Sequence, residues 1–545
     1  MDFTGVLSDH LITRWIEENM IKRLSLKLIS KTYLSEIIKS IRVGVFLPPF
    51  ALLGLSVIAS AKDPQSFFDV SATLNNFILD NFSGWFSIAS LLMVVLSILI
   101  FFSPLASIRI GGPDASPLLS PFRWLSITLC TTTATGMLFW ACAEPLFHFS
   151  APPLAMGIAD QSPEAMMFAL STMFMHWSFT PFAIYTVPAL TFALVFYNLH
   201  GRFSISSCLS PLLGSNNAIQ LGGGVDALSL FAICSGMAAS LGTGALVLSG
   251  GVATLSNHTV TPLLLGLVTL AIVCCFVVSS LSGLQRGIAR LSGLNTVFFV
   301  CIALMVLFYG PSKALVQNGG NALIEYATQF VPRSLISVLH PDDSWGKSWT
   351  VFYWANWLAW APIIALFLGK IARGYTVRQF LIVNLLFPAI FSIAWMSIFS
   401  GSVLHLSLTD GSFLTLLHEQ GAESIIYALF DTLPQSGLLQ VLFIFIAFLA
   451  YVTAADSNTE AIASLCMKDE EQSPVTKNAM KVIWGTGIGG IAWFMTAFVG
   501  IDGIKMMSNL GGLPALIIIT ATMGSLTILL YRSYTTPKSL ASNAY

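Results

Sequence analysis

The chain has 545 residues, of which 55% are hydrophobic and only 9% charged, and its formal net charge is −1. Water-soluble domains carry about 25% charged residues, so a soluble globular protein is excluded. The near-neutral balance offers no basic footprint for nucleic acid, and the chain reads as an all-α polytopic protein whose solvent is the lipid bilayer.

Apolar runs of membrane length lie near 43–62, 86–106, 124–148, 166–198, 227–253, 262–283, 294–310, 350–371, 379–403, 435–464, 479–500 and 507–531, which predicts twelve transmembrane helices. With the N-terminus inside, the predicted inner segments hold 20 of the 25 Lys and Arg residues and the outer loops 5. Such an asymmetry is what the positive-inside rule demands, and it predicts cytoplasmic positions for both termini. Residues 1–42 are polar and basic and show no cleavable signal; they read either as helix lying on anionic lipid or as ordinary topogenic charge. The eight cysteines are scattered without metal-ligand spacing and read as small buried hydrophobes. Walker, HExxH and strand-to-helix GxGxxG motifs are absent from the sequence, as is any motif for an activated nucleophile or cofactor, so an enzyme or an ATP-driven pump has no support.

The first two spans hold little that is polar. The third, WLSITLCTTTATGMLFWACAEPLFHF (124–149), carries Cys130, Thr131, Thr132, Thr133 and Thr135 ahead of Gly136. Threonines in mid-membrane either bond back to their own helix and bend it, or mark a weakened helix whose freed groups face a substrate or ion. Glu144 and His148 follow, one turn apart near the outer end; they read as a pair, a loop cap or a proton relay. The fourth span, HWSFTPFAIYTVPAL (176–190), groups Trp177, Phe182 and Tyr185 around Pro181 and Pro188, which suits either packing about proline kinks or the wall of an aromatic cage. The fifth span is lined with small residues (Gly236, Ala238, Ala239, Ser240, Gly242, Gly244 and Ala245) that permit close helix approach. A short amphipathic piece at 282–295, with Arg286 and Arg290, is predicted to lie along the cytoplasmic surface. Residues 311–348 read as a polar outer loop.

The richest stretch is WTVFYWANWLAWAPIIALFLGKIARGYTVR (349–378). On a helix, Trp349, Tyr353, Trp357 and Trp360 fall within about 80° of one another, with Asn356 on the same face. So many flat rings either pack a core or interfacial belt, or build a cage for a quaternary ammonium group, a diffuse cation without hydrogen-bond donors. In the tenth span, YVTAADSNTEA (451–461), Thr453, Asp456, Ser457 and Asn458 suit either a hard cation such as sodium or a hydrogen-bond network between helices.

The segments FWACAEPLFHF, HWSFTPFAIY, GMAASLGTGAL, the 349–378 run and VTAADSNT, in that order and spacing, resemble the betaine/choline/carnitine transporter family over roughly 43–531. The resemblance implies a LeuT-type fold. Two leading helices (43–122) would precede two inverted five-helix repeats, 123–310 and 349–531, with a linking helix at about 283–293 and the outer loop 311–348 between them. The N-terminal segment 1–42 and the tail 532–545 would be cytoplasmic. It further implies alternating access, residence in the cell (inner) membrane, usually a homotrimer, and no cofactor beyond a coupling ion such as Na+. Carried over by position, the cage would be Trp177, Phe182, Tyr185 and Trp357; Trp354 and Trp360 would line the exit path, and Thr132 and Thr133 would stand near the substrate carboxylate. Asn356 replaces a usual tryptophan, and Phe182 another. Gly136 stands where choline-selective members carry aspartate, which favours a zwitterion resembling glycine betaine. The sodium ligands would be Cys130, Thr133, Thr453 and Ser457, with Ala454 in place of one hydroxyl. The implied alternative is a sodium-independent exchanger or proton-coupled carrier for carnitine, choline or a sulfonium analogue. The short C-terminal end lacks the long basic helix of osmosensing relatives.

Overall fold

The computed structural model describes residues 39–132, 136–282, 285–468 and 474–536; within them the side chains of Cys130, Leu138, Ser457 and those at 280–282, 285–296, 474 and 475 are outside the description. The described residues are helical, with two isolated antiparallel bridges, Ile41 with Met467 and Arg109 with Thr376, and no strand. Nine of their helices are long and apolar enough to cross a membrane, or ten if Val297–Tyr309 and Ser312–Ser334, bent by 105° at a short break, form one span. Two of the twelve expected spans fall outside that set. The span at 124–148 is described in two parts, α3 (Pro121–Thr132) and α4 (Gly136–Ser150), on either side of residues 133–135, and the one at 479–500 lies in α16 (Pro474–Phe498), which is diluted by glycines and by Lys477 and Lys481.

Helices α1 (Val43–Lys62) and α2 (Pro64–Phe101) meet at Asp63, whose carboxylate accepts from the Ser66 N–H and caps α2, with Pro64 in its first turn. Because proline at a first turn withholds no needed N–H, α2 starts at once and runs 38 residues, well before the span expected at 86–106. The expected fourth span divides at Ser178 into α5 (Pro163–Trp177) and α6 (Phe179–Tyr197). Ser178 has φ −120° and ψ −113°. The cause is Pro181, which has no N–H to return to the Trp177 carbonyl and whose ring would clash with it in a continuous helix.

Next come α7 (Gly222–Ser256), α8 (Pro262–Ser282) and α9 (Gln285–Tyr309). The piece expected to lie separately at 282–295 continues from Gln285 into α9 without a proline to stop it. The expected outer loop 311–348 is largely helical, chiefly α10 (Ser312–Ser334). A wide, π-type turn at Lys347–Val351 leads into α11 (Phe352–Ile371). There follow α12 (Phe387–Asp410), the short α13 (Ser412–Gln420) and α14 (Ile425–Asp431), α15 (Ser436–Cys466), α16 and α17 (Ile501–Thr535). The cysteine expectation holds for Cys142, Cys208, Cys234 and Cys466, which are buried, whereas Cys274, Cys275 and Cys301 are exposed on apolar helices.

Helix α11 is the axis of the molecule, packed between α6 and α17 and against α7. Two glycines make that closeness possible. A Cβ on Gly512 of α17 would sit 2.5 Å from Ala355 Cβ, and one on Gly369 of α11 would sit 2.7 Å from the Ala189 carbonyl oxygen of α6. Backbones in contact leave side chains above and below to interdigitate, and this seats the aromatic face of α11 on the α5–α6 break.

Candidate functional site

The α5–α6 break and α11 bring four rings together. Trp177 ends α5, Phe182 and Tyr185 lie on the first turns of α6, and Trp357 enters from α11. Trp357 is the hub: its ring centroid is 5.6 Å from Trp177, 6.0 Å from Phe182 and 5.1 Å from Tyr185, at interplanar angles of 79°, 57° and 67°. All four are at most 3% exposed. Steeply inclined rings at these separations meet edge to face instead of stacking flat, so the four form one buried aromatic cluster centred on Trp357.

The Trp177 and Trp357 indoles are both held by their N–H groups. Trp177 Nε1 donates to Glu144 Oε2 (2.7 Å), and Trp357 Nε1 donates to the His176 carbonyl oxygen (3.1 Å). Glu144, on α4, is wholly buried and accepts from four sides. Besides Trp177, its Oε2 accepts from the Tyr353 hydroxyl, and its Oε1 meets His148 Nε2 at 3.0 Å and His176 Nδ1 at 2.6 Å. His176 Nε2 lies 3.2 Å from the Thr350 hydroxyl. Glu144, His148 and His176 have the residue types of a metal centre, but the carboxylate lone pairs are already directed at N–H and O–H groups, so the trio is a hydrogen-bonded cluster. An anionic acceptor on the indole N–H also pushes electron density into the Trp177 ring, which strengthens its face as a partner for a cation.

The other site expectations fall at several places. Trp354 is fully buried with its ring 5.8 Å from His176 and perpendicular to it, and its N–H has no hydrogen-bond partner among the described residues. Trp360 is half-buried beside Gly236 of α7, where a Cβ would come within 3.2 Å of its Nε1. The Asn356 amide oxygen accepts from Ser508 of α17 (3.2 Å). Thr132 is buried and donates to the Thr128 carbonyl of its own helix (2.8 Å), the back-bonded arrangement. Of the four expected ion ligands, Thr133 and the side chains of Cys130 and Ser457 lie outside the described residues; Thr453 donates to the Ala450 carbonyl (2.9 Å). A Cβ on Gly136 of α4 would stand 3.9 Å from Trp177 Cη2, so this part of α4 borders the Trp177 ring. The part that sequence reasoning missed is the anchoring of both indoles on the Glu144–His176 cluster. The signal was there, as a glutamate and two histidines in spans otherwise poor in charge, but nothing in the spacing joined Glu144 to Trp177.

The profile of the BCCT family, betaine/carnitine/choline family transporters, matches residues 44–535. The chain is 29% identical over 491 residues to the glycine betaine transporter OpuD of Bacillus subtilis, covering 89% of this chain and 93% of that protein. It is 28% identical over 489 residues to an ectoine/hydroxyectoine transporter of Virgibacillus pantothenticus, covering 89% and 96%. It is 30% identical over 443 residues to glycine betaine transporter 1 of Vibrio parahaemolyticus, covering 79% and 82%. These relatives are transporters and not enzymes, and the residues that match the family, 44–535, include the helices that carry the aromatic cluster. This multi-span membrane protein belongs to the betaine/carnitine/choline transporter family.

Proposed function

We propose that the protein is a secondary active transporter that takes up a zwitterionic quaternary-ammonium solute resembling glycine betaine, by ion-coupled alternating access. The observation that carries this reading is the enclosure of Trp357 by Trp177, Phe182 and Tyr185 from α5 and α6. A trimethylammonium head has no donor to offer and spreads its charge over methyl groups, so ring faces serve it better than a carboxylate contact does. Its carboxylate would lie toward Gly136 of α4, where a Cβ would stand 3.9 Å from Trp177 Cη2. The names of the relatives, which include glycine betaine and ectoine carriers, agree with a small zwitterion as cargo.

The same reading takes the chain to have twelve spans and the LeuT-type arrangement of two inverted repeats, 123–310 and 349–531. It would stand as a homotrimer in the cell (inner) membrane with both termini cytoplasmic. The α5–α6 break supports it, since broken helices near mid-membrane are where such folds bind substrate. The second reading, a sodium-independent exchanger or proton-coupled carrier for carnitine, choline or a sulfonium analogue, draws support from the tenth span. There Thr453 is bonded within its own helix and Ala454 has no hydroxyl, which leaves a sodium ion poorly served.

The test is uptake of labelled glycine betaine into liposomes holding the purified protein alone, with and without a sodium gradient. Accumulation that needs the gradient supports the first reading, and a sodium-independent initial rate supports the second. Failure to move any betaine, carnitine or choline, in uptake or in counterflow, would refute both.

A further inference from the structure

Resting on the assignment of the aromatic box to an onium head, we infer that Glu144, His148 and His176 form a proton-binding site that competes with the bound cation, so that pH sets the affinity of the cage. The donors and acceptors of the cluster can be counted. The Trp177 N–H can only donate, and the Tyr353 hydroxyl lies against the same oxygen, so Glu144 Oε2 is an acceptor twice over. Oε1 takes the N–H of His148 Nε2 and of His176 Nδ1, and the Thr350 hydroxyl completes His176 at Nε2. With both imidazoles neutral, each polar atom of the trio has a partner except His148 Nδ1, which is fully buried and has none among the described residues. The cluster then holds one negative charge, on Glu144, and one vacant lone pair, on His148.

A buried carboxylate bonded to the edge of a cage indole attracts whatever cation occupies that cage. One proton taken from water onto His148 Nδ1 forms one N–H bond, converts the ring to imidazolium and cancels that charge; returning the proton to water restores it. The other titratable groups facing the cluster are Tyr353 on α11 and Lys505 on α17, with Asp502 beyond Lys505 at 4.0 Å. Lys505 Nζ stands 3.6 Å from the centroid of the Trp349 ring, and that ring lies 4.8 Å from His148. Lysine and imidazolium would flank one indole and repel each other, so the proton is held only toward acid pH and leaves as the onium head arrives. Asp502 is exposed beside Lys505, so this flank of the cluster faces the protein surface and not the cage.

The experiment measures glycine betaine affinity of the purified protein in sodium-free buffer across about pH 4 to 8.5, a window that reaches well below the ordinary histidine transition, and proton release on binding in weakly buffered solution with an indicator dye. The expected result is an affinity that falls by about tenfold or more toward acid, as loss of one nearby unit charge demands, with protons released on binding at the acid end. His148→Gln removes the proton acceptor and is expected to bind tightly with little dependence on pH. Glu144→Gln removes the charge and is expected to bind weakly with little dependence on pH. A merely structural role would weaken both variants alike and leave the pH profile in place, and that outcome overturns the inference. So does a wild-type affinity that is flat with pH, or binding without proton release, neither of which depends on a variant folding. Absence of betaine binding at every pH, both without sodium and with sodium restored, would instead refute the functional assignment beneath it.

Discussion

Replacing Trp357 with alanine removes the ring that the other three surround. Its indole lies within 6.0 Å of Trp177, Phe182 and Tyr185, so the loss has two parts. The direct part is the cation–π contact to the onium head, about 1–2 kcal/mol in a site closed to water. The indirect part is the edge-to-face support that Trp357 gives the other rings, about 0.5–1.5 kcal/mol for each pair, of which a fraction reappears as disorder in the empty cage. Together these come to about 3 kcal/mol of binding, or an affinity reduced by about 150-fold. The truncation also leaves a cavity costing about 3–5 kcal/mol of stability, so the protein must be shown to insert and to elute as a single species. Trp357→Phe is the companion variant. It keeps a ring but loses the N–H that donates to the His176 carbonyl, and it is expected to bind about tenfold more weakly than wild type. The assay is titration of purified protein with glycine betaine, by calorimetry or by quenching of tryptophan fluorescence. A well-folded Trp357→Ala protein that binds betaine within about twofold of wild type would refute the aromatic box as the binding site.

Three further outcomes follow from the same geometry. Gly136→Asp places a carboxylate beside Trp177 and at the carboxylate end proposed for the zwitterion, so betaine affinity should fall and choline affinity rise, each by about tenfold, in competition assays; unchanged preference would remove this part of α4 from the site. Thr453→Ala deletes a hydroxyl already committed to the Ala450 carbonyl, and initial uptake should change by less than about twofold in sodium or potassium buffer; loss of a sodium-dependent component would reinstate Thr453 as an ion ligand. Gly512→Ala drives a methyl group to 2.5 Å from Ala355 and must separate α17 from α11, lowering the midpoint of thermal unfolding in detergent by an amount corresponding to about 1–3 kcal/mol; an unshifted midpoint would show that these helices do not pack backbone to backbone.

The membrane-spanning, helical character of the chain was legible in the amino-acid string, because lipid admits no other open backbone and long apolar runs are visible without any partner. The four rings were legible as a set of residues, since Trp177, Phe182 and Tyr185 flank a proline and Trp357 lies in a run of aromatics. Their convergence was a matter of tertiary structure. Helical periodicity says which residues share a face of one helix, but not which other helix that face meets, and the π-type turn at Lys347–Val351 shifts even that register. Asn356 shows the consequence: placed with the tryptophans by angle, it accepts from Ser508 of α17. The break at Ser178 falls where Pro181 withholds an N–H, yet its value, setting Trp177 and Phe182 at one corner, appears only once α11 is packed against it. Glu144 marks the limit most clearly. A lone glutamate in an apolar span announces a buried charge, but the four donors it satisfies come from three separated stretches of chain. Only close packing, held by glycines whose missing side chains let the backbones touch, brings those donors to one carboxylate.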